Sequence, residues 1–345
     1  MELEQAIENV LDGQAVLFAG AGFSYGAKNI NGDVPSAKML KKELLRSMGM
    51  NENVEYGLEM VADFYKKKKS ATELVNKLRE QYNILSVAEH HKKIMGLQWK
   101  RVYTTNYDQV IEKASIESGA GYCRDAIILS DDFESSSKNL ISVHLNGYIE
   151  RLNVDKLENE FKLTDHSYSC DTLVRNPWFE FMVNDFEAAS VIIVIGYSML
   201  FDIDIKRLFS APEISRKVIF IDSPEIDEMS KGLLENYGAC YPIGIDEFSN
   251  KIDVAKKDYV PSMSFSYKSF KCMYHDTLTS LTPSYEDIVK FYVEGKRCEK
   301  LLEKDISGEY KYVLNRKAMD LFLRGYRNNK VYIALSLSLI HISEP

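Results

Sequence analysis

Four short stretches of this chain set glycine, asparagine, histidine and hydroxyl side chains at the ends of apolar runs. They are Gly20-Ala21-Gly22-Phe23-Ser24, Thr104-Thr105-Asn106-Tyr107-Asp108, His144-Leu145-Asn146-Gly147 and Gly196-Tyr197-Ser198-Met199. Gly20 and Gly22 allow a tight turn and let backbone N–H groups approach a diphosphate, and Ser24 can donate to phosphate or ribose. Asn106 stands where a β-branched run gives way to a helix, and an amide fixed there orients a ribose hydroxyl or a water without titrating. His144 is a candidate general base, with an ordinary pKa of about 6.5. Asn146, two residues on, projects from the same face if the strand continues, so the two would share a pocket. Gly196 and Ser198 are small enough to let a ligand lie across the sheet edge, and Asp222 ends a further strand, where an acid can accept from an adenosine ribose.

Each group also has a plainer role. Asn106 and Ser24 can cap helices, Asp108 suits the first turn of a helix for its dipole alone, and His144 can be a core histidine. Gly196 and Ser198 can serve close packing, Asp202 and Asp204 can cap a helix, and Asp222 can belong to a turn.

The elements that carry these groups follow from patterning. Leu3, Ala6, Ile7, Val10 and Leu11 recur at helical spacing. Ala15–Ala19, Val102–Thr105, Ala126–Leu129, Leu140–Val143, Val191–Ile195 and Lys217–Ile221 read as strands. The last two are continuously apolar, as strands buried on both faces of a parallel sheet are. Asn176-Pro177 opens a helix, with asparagine at the cap and proline at the first position. Residues 36 to about 98 are helical by pattern, with Leu40, Leu44, Leu45 and Met48 on one face. Strands alternating with helices predict an α/β, doubly wound parallel sheet of Rossmann-like type, whose ligand lies beyond the carboxyl ends of its strands.

With 345 residues, 45% of them hydrophobic, the chain can bury a full core. A formal charge of −8 argues against general nucleic-acid binding, and the run Lys66 to Lys69 reads as the solvated end of a helix. The five cysteines are far apart with no C-x-x-C pair, which excludes the usual zinc ribbon and offers no disulfide framework. His90-His91 lack metal-ligand spacing and suit a helix terminus or core contact. No apolar stretch reaches membrane-spanning length, and the start lacks the features of a signal peptide, so the chain reads as cytoplasmic.

Together the residues from about Gln14 to Asp222 resemble the sirtuin-like family. Gly20-Ala21-Gly22-Phe23-Ser24 is similar to its Gly-Ala-Gly-x-Ser loop, Thr105-Asn106-Tyr107-Asp108 to its Thr-x-Asn-x-Asp motif, and Gly196-Tyr197-Ser198-Met199 to its NAD loop. Thr-Thr-Asn-Tyr-Asp, followed by Lys162-Leu163-Thr164 and Tyr168, is closest to the bacterial defence-associated branch that includes the Thoeris effector. The resemblance implies a sirtuin-like fold and hydrolysis of NAD+ to nicotinamide and ADP-ribose during phage infection, with NAD as substrate and no metal. It implies Asn106 and His144 as catalytic groups. Gly20, Ala21, Gly22, Ser24, Thr105, Asp108, Asn146, Gly196, Ser198 and Asp222 would hold the dinucleotide.

Two departures matter. The zinc-binding cysteines of the protein-deacylating members are absent, which lowers the rival reading of an NAD-dependent deacylase. The family's histidine stands immediately before a glycine, but here Asn146 precedes Gly147. Either His144 supplies the base from the same strand face, which the spacing favours, or the site has lost its base and the chain is a non-catalytic module that binds NAD or ADP-ribose. An unregulated NAD hydrolase would harm its own cell, so homo-oligomerisation, a regulatory partner or a missing carboxy-terminal domain is expected to gate it.

The domain reading is a catalytic domain over 1–250 with the helical insertion at about 36–98, a helical accessory region over 251–333, and a non-native tail over 334–345. Within it, the string Ser338 to Pro345 resembles translated vector or sequencing-adapter sequence.

Overall fold

Runs of aliphatic and β-branched residues form the middle of a seven-stranded sheet in the computed structural model, which describes residues 1–120, 124–136, 140–164, 173–200 and 202–259. The described residues fall almost wholly within one compact unit, Met1–Lys257. Tyr168, the accessory region beyond residue 259 and the tail lie outside the described residues.

The strands are β1 (Ala15–Ala19), β2 (Lys28–Asn29), β3 (Gly32–Asp33), β4 (Arg101–Thr104), β5 (Asp125–Ile128), β6 (Ile141–His144), β7 (Val191–Ile195), β8 (Val218–Ile221) and β9 (Ala239–Tyr241). The main sheet runs β5-β6-β4-β1-β7-β8-β9, and β2 pairs with β3 in a separate hairpin. Every pairing in the main sheet is parallel. β1 lies centrally, and the chain builds outward first on the β4 side and then on the β7 side. This is the reversal at which doubly wound sheets open a crevice at their carboxyl ends.

Helices cover both faces. On one, α1 (Leu3–Leu11), α5 (Glu89–Met95), α6 (Val110–Glu117) and α12 (Gly244–Asp258) bury Leu17, Val102, Ile193 and Ile219 beneath Ile7, Ile94, Ile111 and Phe248. On the other, α7 (Phe133–Ser136), α8 (Pro177–Ala188), α9 (Ile203–Phe209) and α10 (Pro212–Ser215) pack Trp178, Phe186, Phe209 and Ile214 on Phe18, Val194 and Phe220. Phe18 meets Phe186, Tyr197 and Phe209 edge-on, the arrangement ring quadrupoles favour. The start of α8 is as the sequence reads: the Asn176 side chain accepts from Trp178 N–H and proline occupies the first turn.

A third core stands apart from the sheet. It joins α2 (Ala37–Ser47), α3 (Leu58–Lys68) and α4 (Ala71–Tyr82) through Leu40, Leu44, Tyr65, Leu74 and Leu78, and it takes in Ile149, Leu152, Leu157, Phe161 and Leu163 from a distant segment. The helical insertion is therefore completed by the chain after β6, while α5 belongs to the sheet layers. The lysine run ends α3, where Lys66 is tied to Glu158 and Asp63.

Candidate functional site

All four strand-end motifs sit at the carboxyl edge of the sheet, after β1, β4, β6 and β7. Ala21, Ser24, Thr105, Asn106, Asp108, Asn146, Gly196 and Ser198 line one cavity of about 710 Å³, together with Lys38, Lys41 and Tyr82 of the helical subdomain. That volume lies within the range of small-molecule sites.

Asn106 is held from several sides. Its backbone N–H donates to Thr104 Oγ1 at 3.0 Å, and Thr104 Oγ1 donates to the carbonyl of Ala19 on β1. Its side-chain Nδ2 donates to the Gly20 carbonyl at 2.8 Å and to Ser24 Oγ at 3.0 Å. A carbonyl only accepts, so the Gly20 contact fixes which end of the amide is nitrogen. The Ser24 hydroxyl donates to Asp108 Oδ2 at 2.6 Å, and Asp108 Oδ1 accepts from Val110 N–H at the start of α6. Burial pushes the Asp108 carboxyl above its usual range, against the Ser24 and Val110 hydrogen bonds that favour its charge.

Asn146 follows the end of β6, in a turn made by Gly147 at φ +102. Its backbone oxygen accepts from Lys162 N–H. Its side-chain Oδ1 is buried and has no hydrogen-bond partner. A buried acceptor left this way costs about 1–3 kcal/mol.

His144 corrects the sequence reading. The strand ends at this residue, so the alternation that would give His144 and Asn146 one face stops there. His144 is fully buried and is not among the residues lining the cavity. Its Nδ1 donates to the carbonyl oxygen of Asn106 at 2.9 Å, and its Nε2 faces Glu112 Oε1 on α6 at 3.0 Å. Burial opposes charge on this imidazole, but Glu112, the Asn106 carbonyl and Asp108 outweigh it and hold the group above its ordinary pKa. Glu112 was not legible as a site residue, since one carboxylate among Val110, Ile111 and Ala114 carries no sequence signal beyond its place in a helix.

The glycines also act differently from the expectation that their N–H groups meet a diphosphate. Gly20 N–H donates to Ile195 O and Gly22 N–H to Gly196 O, both at 2.9 Å. The loop Ala21–Ser24 is a single 3-10 turn pressed against the β7 loop. In that second loop Met199 adopts φ +57, a region costly for any residue but glycine.

Asp222 is not brought to the cavity. Its Oδ1 accepts from Ser223 N–H at 2.7 Å, which is the turn role. His90 and His91, which the sequence assigned to a helix or the core, grip the 3-10 loop from behind. His91 Nε2 contacts Phe23 O at 2.6 Å, and His90 contacts Tyr25 O and Asp246 Oδ1. Among the described residues no cluster of three or more histidine, cysteine or acidic side chains could hold a metal ion, and no helix is long and apolar enough to cross a membrane.

Comparison with known proteins falls on the same segment. Residues 100–241, which carry β4, β6, β7 and their loops, match the family model of the SIR2-like domain. A protein named NAD(+) hydrolase ThsA, from Bacillus cereus (strain MSX-D12), is 26% identical over 189 residues, covering 47% of this chain and 39% of that protein. The chain thus spans well under half the length of this curated relative. Among solved structures, a Sir2 homolog–NAD complex aligns over 73% of this chain and 94% of its own, with a TM-score of 0.43 and 16% identity. A Sir2 enzyme structure described for mechanism and regulation aligns over 74% of this chain and 98% of its own, with a TM-score of 0.41 and 15% identity.

Proposed function

We propose that this chain hydrolyses the nicotinamide–ribose bond of NAD+, giving nicotinamide and ADP-ribose, and that it serves bacterial defence by depleting NAD. The observation that carries the reading is a pair of asparagines lining one cavity, each with an amide oxygen that no protein group occupies. With Nδ2 of Asn106 committed to Gly20 and Ser24, its Oδ1 is left without a protein partner. Asn146 lines the same cavity, and its buried Oδ1 is unpartnered too. Two neutral acceptors suit ribose hydroxyls and a water, and the negative ends of their dipoles favour a carbon that becomes oxocarbenium-like. The curated hydrolase and the SIR2-like family match over residues 100–241 support the same substrate.

The chemistry asks little of a general acid. As the C1′–N bond breaks, its electron pair neutralises the cationic nicotinamide ring, which leaves as a neutral molecule. Water then adds to C1′ and must lose a proton. Asp108, which lines the cavity and whose pKa burial raises, would take it. Thr105, Ala21, Gly196 and Ser198 would contact the ribose and diphosphate. Control by self-association, or by a regulatory partner, is part of the same proposal.

The burial of His144 away from the residues that line the cavity favours a second reading, a module that binds NAD or ADP-ribose without turnover. Chromatographic measurement of nicotinamide release, with Asn106→Ala as control, separates the two. Turnover lost in the variant supports the hydrolase. Calorimetric binding of NAD+ with no release by the wild-type protein selects the module.

A further inference from the structure

His144, Glu112 and Ser142 form a buried polar group directly behind Asn106. His144 is 0% and Ser142 0% exposed, and Glu112 8%. Glu112 Oε1 receives both the Ser142 hydroxyl and His144 Nε2. The imidazole also packs on the Tyr148 ring, with centroids 4.7 Å apart. Burying a histidine and a carboxylate this deeply costs stability unless each is satisfied, so the arrangement calls for a return elsewhere. Its one contact toward the cavity is the hydrogen bond from Nδ1 to the Asn106 carbonyl. That bond closes the set around Asn106: the peptide N–H is taken by Thr104, Nδ2 by Gly20 and Ser24, and the carbonyl by His144. The amide oxygen alone is left for a ligand.

We propose that His144, anchored by Glu112, is a positioning residue that fixes the Asn106 peptide from behind and so aims its amide oxygen, without itself touching substrate. The proposal rests on the reading of Asn106 as the group that orients ribose or water. An Asn at position 144 can place its Nδ2 where the imidazole Nδ1 stands and keep the donor to Asn106. A Leu cannot. The two variants therefore separate a donor role from a proton-transfer role.

The test measures nicotinamide release from NAD+, together with the side-chain amide resonance of Asn106 in full-length protein labelled with 15N-asparagine. His144→Leu is expected to lower kcat about 100-fold, as small misplacements of a catalytic group do, with KM changed less than about threefold. His144→Asn is expected to stay within about fivefold of wild type. The Asn106 amide signal should move in His144→Leu and hold its place in His144→Asn. Equal loss of kcat in both variants with an unmoved signal would make His144 a chemical participant and overturn the proposal, as would full activity in His144→Leu. Should the wild-type protein release no nicotinamide, the hydrolase reading fails, while the amide signal still decides positioning by the same criterion. Should His144→Leu not fold, Glu112→Gln keeps the imidazole and weakens its anchor. A smaller shift of the same signal is then expected, and no shift overturns the idea.

Discussion

Gly22 and Gly196 meet backbone to backbone. The amide of Gly22 donates to the Gly196 carbonyl at 2.9 Å, a Cβ on Gly22 would lie 2.7 Å from Gly196 Cα, and one on Gly196 would lie 2.3 Å from Gly22 Cα. Gly196 also sits at φ +64. The contact locks the loop after β1 to the loop after β7, so the cavity wall on that side is a single unit.

Gly196→Ala therefore faces both steric overlap and an unfavourable φ, and should lower unfolding free energy by about 2 kcal/mol or more. Gly232→Ala, in α11 (Glu228–Glu235) with open space around its Cβ, should instead raise it by about 0.5–1 kcal/mol. Urea denaturation of both variants measures this. Equal effects would mean that the backbone contact is not what makes Gly196 necessary.

The sheet was legible because parallel strands buried on two faces write continuous apolar runs. The boundaries of β1 and β7 are those read from sequence, and the others differ by about a residue. β9 was not legible: Ala239-Cys240-Tyr241 is short and half-buried at the sheet edge, so no run or alternation marks it. Nor was the union of residues 149–163 with α2–α4, which is a long-range contact with no local signature. The motifs lie in loops that share one edge of the sheet and one cavity, but local reasoning misjudged directions within them. His144 and Asn146 diverge because the strand stops between them, and the glycine N–H groups are spent on β7 and its loop, which no pattern in residues 20–24 announces.

Asn146→Ala should reduce turnover about 10- to 100-fold by removing an acceptor from the cavity. Asn146→His should bring in a group with an ordinary pKa of about 6.5. A new limb near that value would then appear in the kcat/KM profile against pH, absent from the wild-type profile. Identical profiles for the two proteins would place residue 146 away from the reacting atoms.

His91 is locked in its neutral form. Its Nδ1 accepts from Ala88 N–H, so Nε2 carries the proton toward Phe23 O. Burial and the neighbouring His90 push its pKa down to about 3. The unfolded chain takes up a proton below about 6.5 while the folded protein does not, so stability falls as pH drops from there toward 3. The slope from this residue is about 1.4 kcal/mol per pH unit. Thermal melts of wild type and His91→Gln between pH 7 and 4 should converge on acidification. A constant gap would show that His91 charges freely in the fold.

His144 predicts the opposite sign. Its folded pKa is raised, with Glu112 as the main cause working against burial, so the fold favours the imidazolium. The stabilisation is fully present below the unfolded value of about 6.5 and is lost as pH climbs through the folded pKa. Beyond that point Nδ1 keeps its proton for Asn106, and what is lost is the attraction between Nε2–H and Glu112. The other titratable groups facing the ring are Asp108, whose charge adds to the effect, and Tyr148, whose phenol burial holds well above its ordinary pKa. The gap in melting temperature between wild type and Glu112→Gln should be widest near pH 6 and shrink toward pH 9. A gap that widens with pH would mean that Glu112 acts as a hydrogen-bond acceptor for Ser142 and not as the counter-charge of His144.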